Sequence, residues 1–406
     1  IWQMTSAQLL RTTGASLSTR ERHSAPPMPL HRRFFLHLSS ALGASALLQA
    51  CGGGGSDSPP FEPPTPSQPL VCAPAMPGAP GLVQGLQPVP ALPSGGTVAV
   101  LAPASPAAGR AQEVADWLAQ RGFVPRLYPS AYAGTGDPQQ DDYLAASDAQ
   151  RLDELHSAFA DPSVDAIICL RGGYGSARLL AGIDFALLRR HAKPFVGYSD
   201  ITALHLALAR HAGFVSFHGP MLTSDLLRNR QEPTEAALFA QLQGRQQAGS
   251  WLPQPPQFPL HSLRCGAAQG RLVGGNLALI GSTLGTPWEI DTHDAILFIE
   301  DVGEPPYKID RLLTQLRLAG KLGGVRGVLI GDFSDVSAAG ASAEQVALDA
   351  ARLQRLWQEF FLPLNVPVLA GWRSGHVDPN LTLPIGAVVT LDADRQGVRV
   401  EQALVV

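Results

Sequence analysis

Apolar residues recur along this chain at two alternating periods. The runs GGTVAVLAPAS (95–105), FVPRLY (123–128), VDAIICL (164–170) and PFVGY (194–198) are short and continuous, the length of buried strands. Between them, Val114, Trp117 and Leu118 within 108–122, the segment 145–159, and Ile201, Leu204 and Leu208 within 201–210 follow helical spacing. Alternation of this kind predicts a parallel sheet covered by helices on both faces, in which ligands gather at the carboxyl ends of the strands.

A second such series starts at Gly270 with the strand RLVGG and a helix over 276–284. The strand AILFIED (295–301), a helix over 307–319, the strand VRGVLIGDF, a helix over 343–360 and the strand PVLAG follow. The final stretch, LTLPIGAVVTLDADRQGVRVEQALVV, alternates in the β manner about a turn at 394–397. Residues 218–268 are irregular, with Pro253, Pro255, Pro256 and Pro259 close together and one helix near 233–242. The expected architecture is α/β: an N-terminal parallel-sheet domain (96–217), an interdomain linker (218–268) and a C-terminal domain (269–406).

The first 95 residues read differently. Residues 1–27 carry no periodic pattern and are expected to be an upstream extension, with Met28 the better start. From there MPLHRRFFLHLSSALGASALLQAC has a charged beginning, a short apolar stretch and small residues before Cys51, the pattern of a signal peptide over 28–50. Arg32-Arg33-Phe34-Phe35-Leu36 resembles a twin-arginine export signature, and Leu48-Gln49-Ala50-Cys51 resembles a lipoprotein box. Two outcomes are open, lipidation of Cys51 or secretion of a soluble chain, and both export the protein. Residues 51–95, rich in Gly and Pro, read as a tether.

Composition sets outer bounds. A chain of 406 residues, 45% hydrophobic and 16% charged, holds enough apolar surface for two cores. A net charge of −4 and the lack of a basic run past the N-terminus exclude an evident nucleic-acid surface. Of the cysteines, Cys169 lies in an apolar run, Cys72 and Cys265 are available to pair, and no metal-spaced cluster is present.

Candidate chemistry sits on strand ends. Ser199, in Gly197-Tyr198-Ser199-Asp200, occupies a tight strand-to-helix corner, which suits either a helix cap or a nucleophile beside free N–H groups. Arg171-Gly172-Gly173-Tyr174-Gly175 lacks the spacing of a phosphate loop; its glycines suit a plain turn or half of an oxyanion site, with the Asp200 N–H as the other half. Glu300 and Asp301 end an apolar strand, a costly place for carboxylates without partners, and Glu304 follows at a turn. His376 lies in a loop, WRSGHVDPNLTLP. Serine, acid and histidine are the parts of a relay, which spacing alone cannot assemble.

Six ordered blocks extend this reading: RGGYG, KPFVGYSDITALHLAL, FHGPM, LVGGNLALIGSTLGTPWEID, FIEDVGEPPYKIDRLLTQLRLAG and SGHVDPNLTLPIGA. Together they resemble the LD-carboxypeptidase family, which includes murein tetrapeptide carboxypeptidases and microcin C immunity peptidases. The resemblance implies a C-terminal domain with β-barrel-like character, a site at the domain interface and a homodimer. It implies Ser199 as nucleophile, His376 as base, Glu300 rather than Glu304 as the orienting acid, and Gly172, Gly173 and Asp200 as oxyanion elements. No metal or cofactor is required. The implied substrate is a peptidoglycan-derived peptide, cleaved between the L-centre of a diamino acid and a terminal D-alanine, with Arg171 and Tyr174 as substrate-binding candidates. Arg171 suits the terminal carboxylate or a structural ion pair. Two other readings stand beside this one: an amidase for aminoacyl-nucleotide conjugates, with Trp251 or Trp288 as the base platform, and a tethered wall-binding protein without catalysis.

Overall fold

The computed structural model describes residues 83–134 and 142–406. The expected leader (28–50), Cys51, Cys72 and the first part of the tether lie outside the described residues.

Thirteen strands form two sheets among the described residues. The first runs in the order β11-β5-β4-β3-β1-β2. Here β1 is Thr97–Leu101, β2 Val124–Leu127, β3 Ala166–Cys169, β4 Phe195–Gly197, β5 Ser216–His218 and β11 Leu383–Ile385. Its strands are parallel except β11, which pairs antiparallel with β5. Helices α1 (Ala111–Gln120), α2 (Asp148–Ala160), α3 (Phe185–Arg190) and α4 (Thr202–Ala207) connect it, and α5 (Thr234–Leu242) follows.

The second sheet, curled into a half-barrel, runs β13-β12-β7-β8-β9-β10-β6. Its strands are β6 His261–Arg264, β7 Ala267–Asn276, β8 Ala295–Val302, β9 Gly327–Ser334, β10 Val368–Ala370, β12 Val388–Asp392 and β13 Gly397–Val400. The four central strands are parallel, and antiparallel strands close both edges. Helices α6 (Leu277–Thr283), α7 (Pro306–Leu318) and α8 (Ala343–Phe361) cover one face.

The period-2 alternation of β8 decides which side chains meet the first sheet. Leu297 and Ile299 pack into the core beneath α6–α8, whereas Ile296 and Phe298 join the core shared with the first sheet. Glu300 has the parity of Phe298 and sits at a register shift in the β8–β9 pairing, between Ile299 and Asp301. A carboxylate is thereby delivered, fully buried, to the seam between the sheets.

Three expectations are revised. The tether reading fails for residues 83–95: Val89 and Leu92 are buried, and the backbone is paired along Gln87–Phe214 and Val89–Val405. Composition pointed to a tether because Pro and Gly dominate, but two buried apolar anchors and backbone partners suffice to dock an extended strap. Residues 218–268 contain α5, whose Leu238 and Leu242 are buried, and β6, an edge of the second sheet, so the segment is packed structure rather than a linker. The residues from 269 onward also do not stay together, because β11 completes the first sheet.

Cys169 is a buried free thiol whose pKa burial pushes far up, so it is inert. Cys265 is disulfide-bonded, and Cys72, its expected partner, lies outside the described residues. No helix among the described residues is long and apolar enough to cross a membrane.

Candidate active site

The corner after β4 is built as the sequence suggested, but not for capping. Ser199 has φ of +62°, a left-handed conformation that a non-glycine residue adopts at a cost. No side chain caps the short 3₁₀ turn Ser199–Ile201 or α4 behind it. Instead Ser199 Oγ lies 3.0 Å from His376 Nε2. The opposite ring nitrogen, Nδ1, lies 2.8 Å from Glu300 Oε2. With Nδ1–H donating to that carboxylate, Nε2 is left to accept from the serine hydroxyl.

His376 is raised above its ordinary pKa. Burial works against the charged ring, but the hydrogen bond and charge of Glu300 outweigh it, with Asp301 and Asp225 adding to the field. The Tyr198 ring packs edge-on against the imidazole, 5.0 Å between centroids. Ser334 Oγ donates to the His376 carbonyl at 3.0 Å, and Asn380 Oδ1 accepts from the Gly375 N–H at 2.9 Å. Gly375 has φ of +105°, and a Cβ there would stand 2.3 Å from Glu300 Oε2. Only glycine lets the loop lie this close to the acid.

The second glycine corner abuts the first. A Cβ on Gly172 would lie 3.0 Å from Ser199 Cβ and 3.4 Å from the Asp200 nitrogen, so the Gly172 backbone faces the serine and the Asp200 N–H. Gly173 has φ of +111° and packs against Ser105, whose hydroxyl accepts from the Tyr174 N–H at 3.0 Å. Asp200, also open to a capping role, spends its side chain across the gap: its carboxylate accepts from the Ser176 N–H at 2.8 Å, and its carbonyl accepts from Ser176 Oγ at 2.5 Å. Two loops that could move separately are thus tied together behind the serine.

Arg171 and Tyr174 stand apart from the Ser–His–Glu line. Arg171 is half-buried and donates to the Pro106 carbonyl at 3.2 Å. Tyr174 is exposed, its ring 5.7 Å from that of Tyr143. Trp251 stacks over Gly397 and Arg399 on the terminal hairpin, and Trp288 packs against the core; neither lines the cavities beside the corners. Glu304 pairs with Lys308 at 3.1 Å.

Sequence reading missed the layer that holds these groups. Asp301 accepts from Asn276 Nδ2, from the Ala278 N–H and from the Val302 N–H, at 2.8–3.0 Å. Burial and the neighbouring Glu300 charge push its pKa up to about 6. Asn276, which also caps α6, receives Thr202 of α4 as acceptor for its own N–H at 3.0 Å, linking the serine helix to the acid strand. A polar residue directly before a helical run, as in GGN-LALIG, was the available signal. His218, also unnoticed, is fully buried with neither ring nitrogen paired among the described residues, and burial holds it neutral. No group of three or more acidic, His or Cys side chains among the described residues forms a metal site.

Comparison with known proteins identifies the family. The family model described as the LD-carboxypeptidase N-terminal domain matches residues 98–219, and the one described as the C-terminal domain matches 269–391. A Bacillus subtilis protein named probable murein peptide carboxypeptidase is 40% identical over 302 residues, covering 74% of this chain and 90% of that protein. The murein tetrapeptide carboxypeptidase of Pseudomonas aeruginosa is 34% identical, covering 62% and 80%. The crystal structure of muramoyltetrapeptide carboxypeptidase from Oxalobacter formigenes is 30% identical with a TM-score of 0.60, covering 74% and 97%. The microcin C7 self-immunity protein MccF shares the fold with a TM-score of 0.68 at 22% identity, covering 78% and 99%. The chain belongs to the LD-carboxypeptidase family and is a serine carboxypeptidase.

Proposed function

We propose that the protein releases the terminal D-alanine of murein tetrapeptides by cleaving the L,D-amide bond through an acyl-enzyme. The observation that carries this is the unbroken line from Glu300 through His376 to Ser199, at 2.8 and 3.0 Å, with the serine in a strained corner. His376 Nε2 takes the serine proton as Oγ attacks the carbonyl carbon, and the Asp200 N–H with the Gly172 and Gly173 backbone receives the oxyanion. His376 then passes that proton to the departing amine, and water attacks the ester by the same route. Glu300 keeps the ring in the tautomer that accepts at Nε2 and balances the imidazolium. The names of relatives that act on murein peptides support the substrate class.

We also propose, from the residues before Cys51, that the chain is exported to the periplasm and lipid-anchored through Cys51, and, from the family resemblance, that it acts as a homodimer. The disulfide at Cys265 is consistent with an oxidising compartment.

The test is mass spectrometry of tri-, tetra- and pentapeptide muropeptides incubated with the protein. Conversion of tetrapeptide to tripeptide, lost in Ser199→Ala, is the expected result. Tetrapeptide left intact beside cleavage of an aminoacyl-nucleotide conjugate would replace this reading with the amidase one; binding without turnover of either would leave a wall-binding protein.

A further inference from the structure

In the first sheet the chain leaves β1 toward β2 and returns on the other side to β3. The crevice between the ends of β1 and β3 is therefore the switch point at which open α/β sheets receive ligands. A cavity of about 580 Å³ lies there, walled by the loop after β1, by Arg171 after β3 and by the segment after β5. Three arginines line it, Arg110, Arg171 and Arg228, against one carboxylate, Asp142. Arg110 is held by Glu113. Arg171 and Arg228 have no ion pair among the described residues; Arg171 donates only to a carbonyl, and Arg228 is exposed. Two guanidinium groups on a concave wall, without an ion pair among the described residues, suit carboxylates.

The cavity wall connects to the serine corner through the chain: Arg171 directly precedes Gly172, where a Cβ would stand 3.0 Å from Ser199 Cβ. The wall ends at Arg228, and the segment just after it reaches the histidine loop, where Asp378 Oδ1 accepts from the Gln231 N–H at 2.7 Å.

We propose that this switch-point cavity is a specificity subsite of the active site, in which Arg171 and Arg228 bind side carboxylates of an acidic peptide. This rests on the murein-peptide reading above. In such a peptide two carboxylates qualify, that of the γ-linked D-glutamyl residue and the distal one of a diaminopimelyl residue.

Calorimetric titration with the product tripeptide, L-alanyl-γ-D-glutamyl-diaminopimelate, tests the proposal without turnover. Two further arms use the tripeptide amidated at one or the other carboxylate, and show which one is read. Amidation at the recognised carboxylate should weaken binding roughly ten- to a hundredfold. Arg228→Gln, an exposed change that the fold tolerates, should remove much of that difference, and Arg171→Gln with Arg228→Gln should abolish it. Equal binding of all three peptides, no measurable binding, or discrimination that survives in the folded double variant would overturn the proposal. D-Alanine release from tetrapeptide, followed in the same preparation, separates the two readings. Release without charge discrimination overturns only the subsite, and charge-dependent binding without release overturns only the reaction.

Discussion

Glu300 Oε2 meets His376 Nδ1 at 2.8 Å across 76 residues of sequence, inside a seam where the carboxylate is fully buried. A charge in such a place sets both the tautomer and the basicity of its partner. Because Glu300 holds the imidazole above its ordinary 6.5, kcat/KM should fall as pH drops through that raised value, where His376 becomes charged and can no longer accept the serine proton. Glu300→Gln removes the charge and favours the wrong tautomer. It should lower kcat by about 10³–10⁴-fold and move the acid limb of the profile to lower pH. A pH–rate profile with an unmoved limb would contradict the role given to Glu300.

Ser199 offers a test in which stability and activity part. A glycine at φ of +62° relieves backbone strain while adding flexibility to the unfolded chain, two effects of about 1 kcal/mol each and opposite sign. Ser199→Gly should therefore unfold within about 1 kcal/mol of the natural protein, and lose at least about 10⁴-fold in activity. Denaturant titration beside the D-alanine assay checks both.

Gly375 should behave in the reverse manner. A methyl group there would stand 2.3 Å from Glu300 Oε2 on a backbone at φ of +105°, so Gly375→Ala meets a steric and a conformational penalty together. The expected loss is about 2 kcal/mol or more, with activity falling further as His376 is displaced from the acid.

Asp301 makes a pH prediction of its own. Its folded pKa of about 6 lies above the ordinary 3.8, so its term stabilises the fold fully below about pH 4 and is lost as pH rises through 6. Across that window the term is on the order of 3 kcal/mol. Asp301→Asn lacks it, so the stability of the natural protein relative to the variant should grow between pH 7 and pH 4.5 in urea unfolding. A constant difference would show that Asp301 does not titrate in this range.

The sequence carried the reacting groups further than their setting. Ser199, Glu300 and His376 stood in blocks distinctive enough to name, and the parity of β8 was readable from AILFIED. What stayed hidden was non-local. Nothing in Asp200 reveals that it ties to Ser176, and nothing in LTLPIGA reveals that Leu383–Ile385 pairs with Ser216–His218. Composition misled over residues 83–95, because a proline-rich strap and a proline-rich tether differ only in whether a groove awaits them. The arginine cavity was half visible: Arg171 was suspected, but Arg228, 57 positions later, becomes its neighbour only when β3 and β5 lie in one sheet.

The exchange of β11 into the first sheet bears on how the molecule comes apart. Melting the second sheet would pull on the chain that supplies an edge strand to the first. Losing the first would in turn strip the 83–95 strap from its partners at Gly213 and Phe214, leaving it only those near Gly386 and Val405. Because each sheet is completed by backbone from the other part of the chain, the protein should unfold in one cooperative step. Separately expressed halves would each carry an unpaired edge, which makes them prone to aggregate unless the complementary half is supplied.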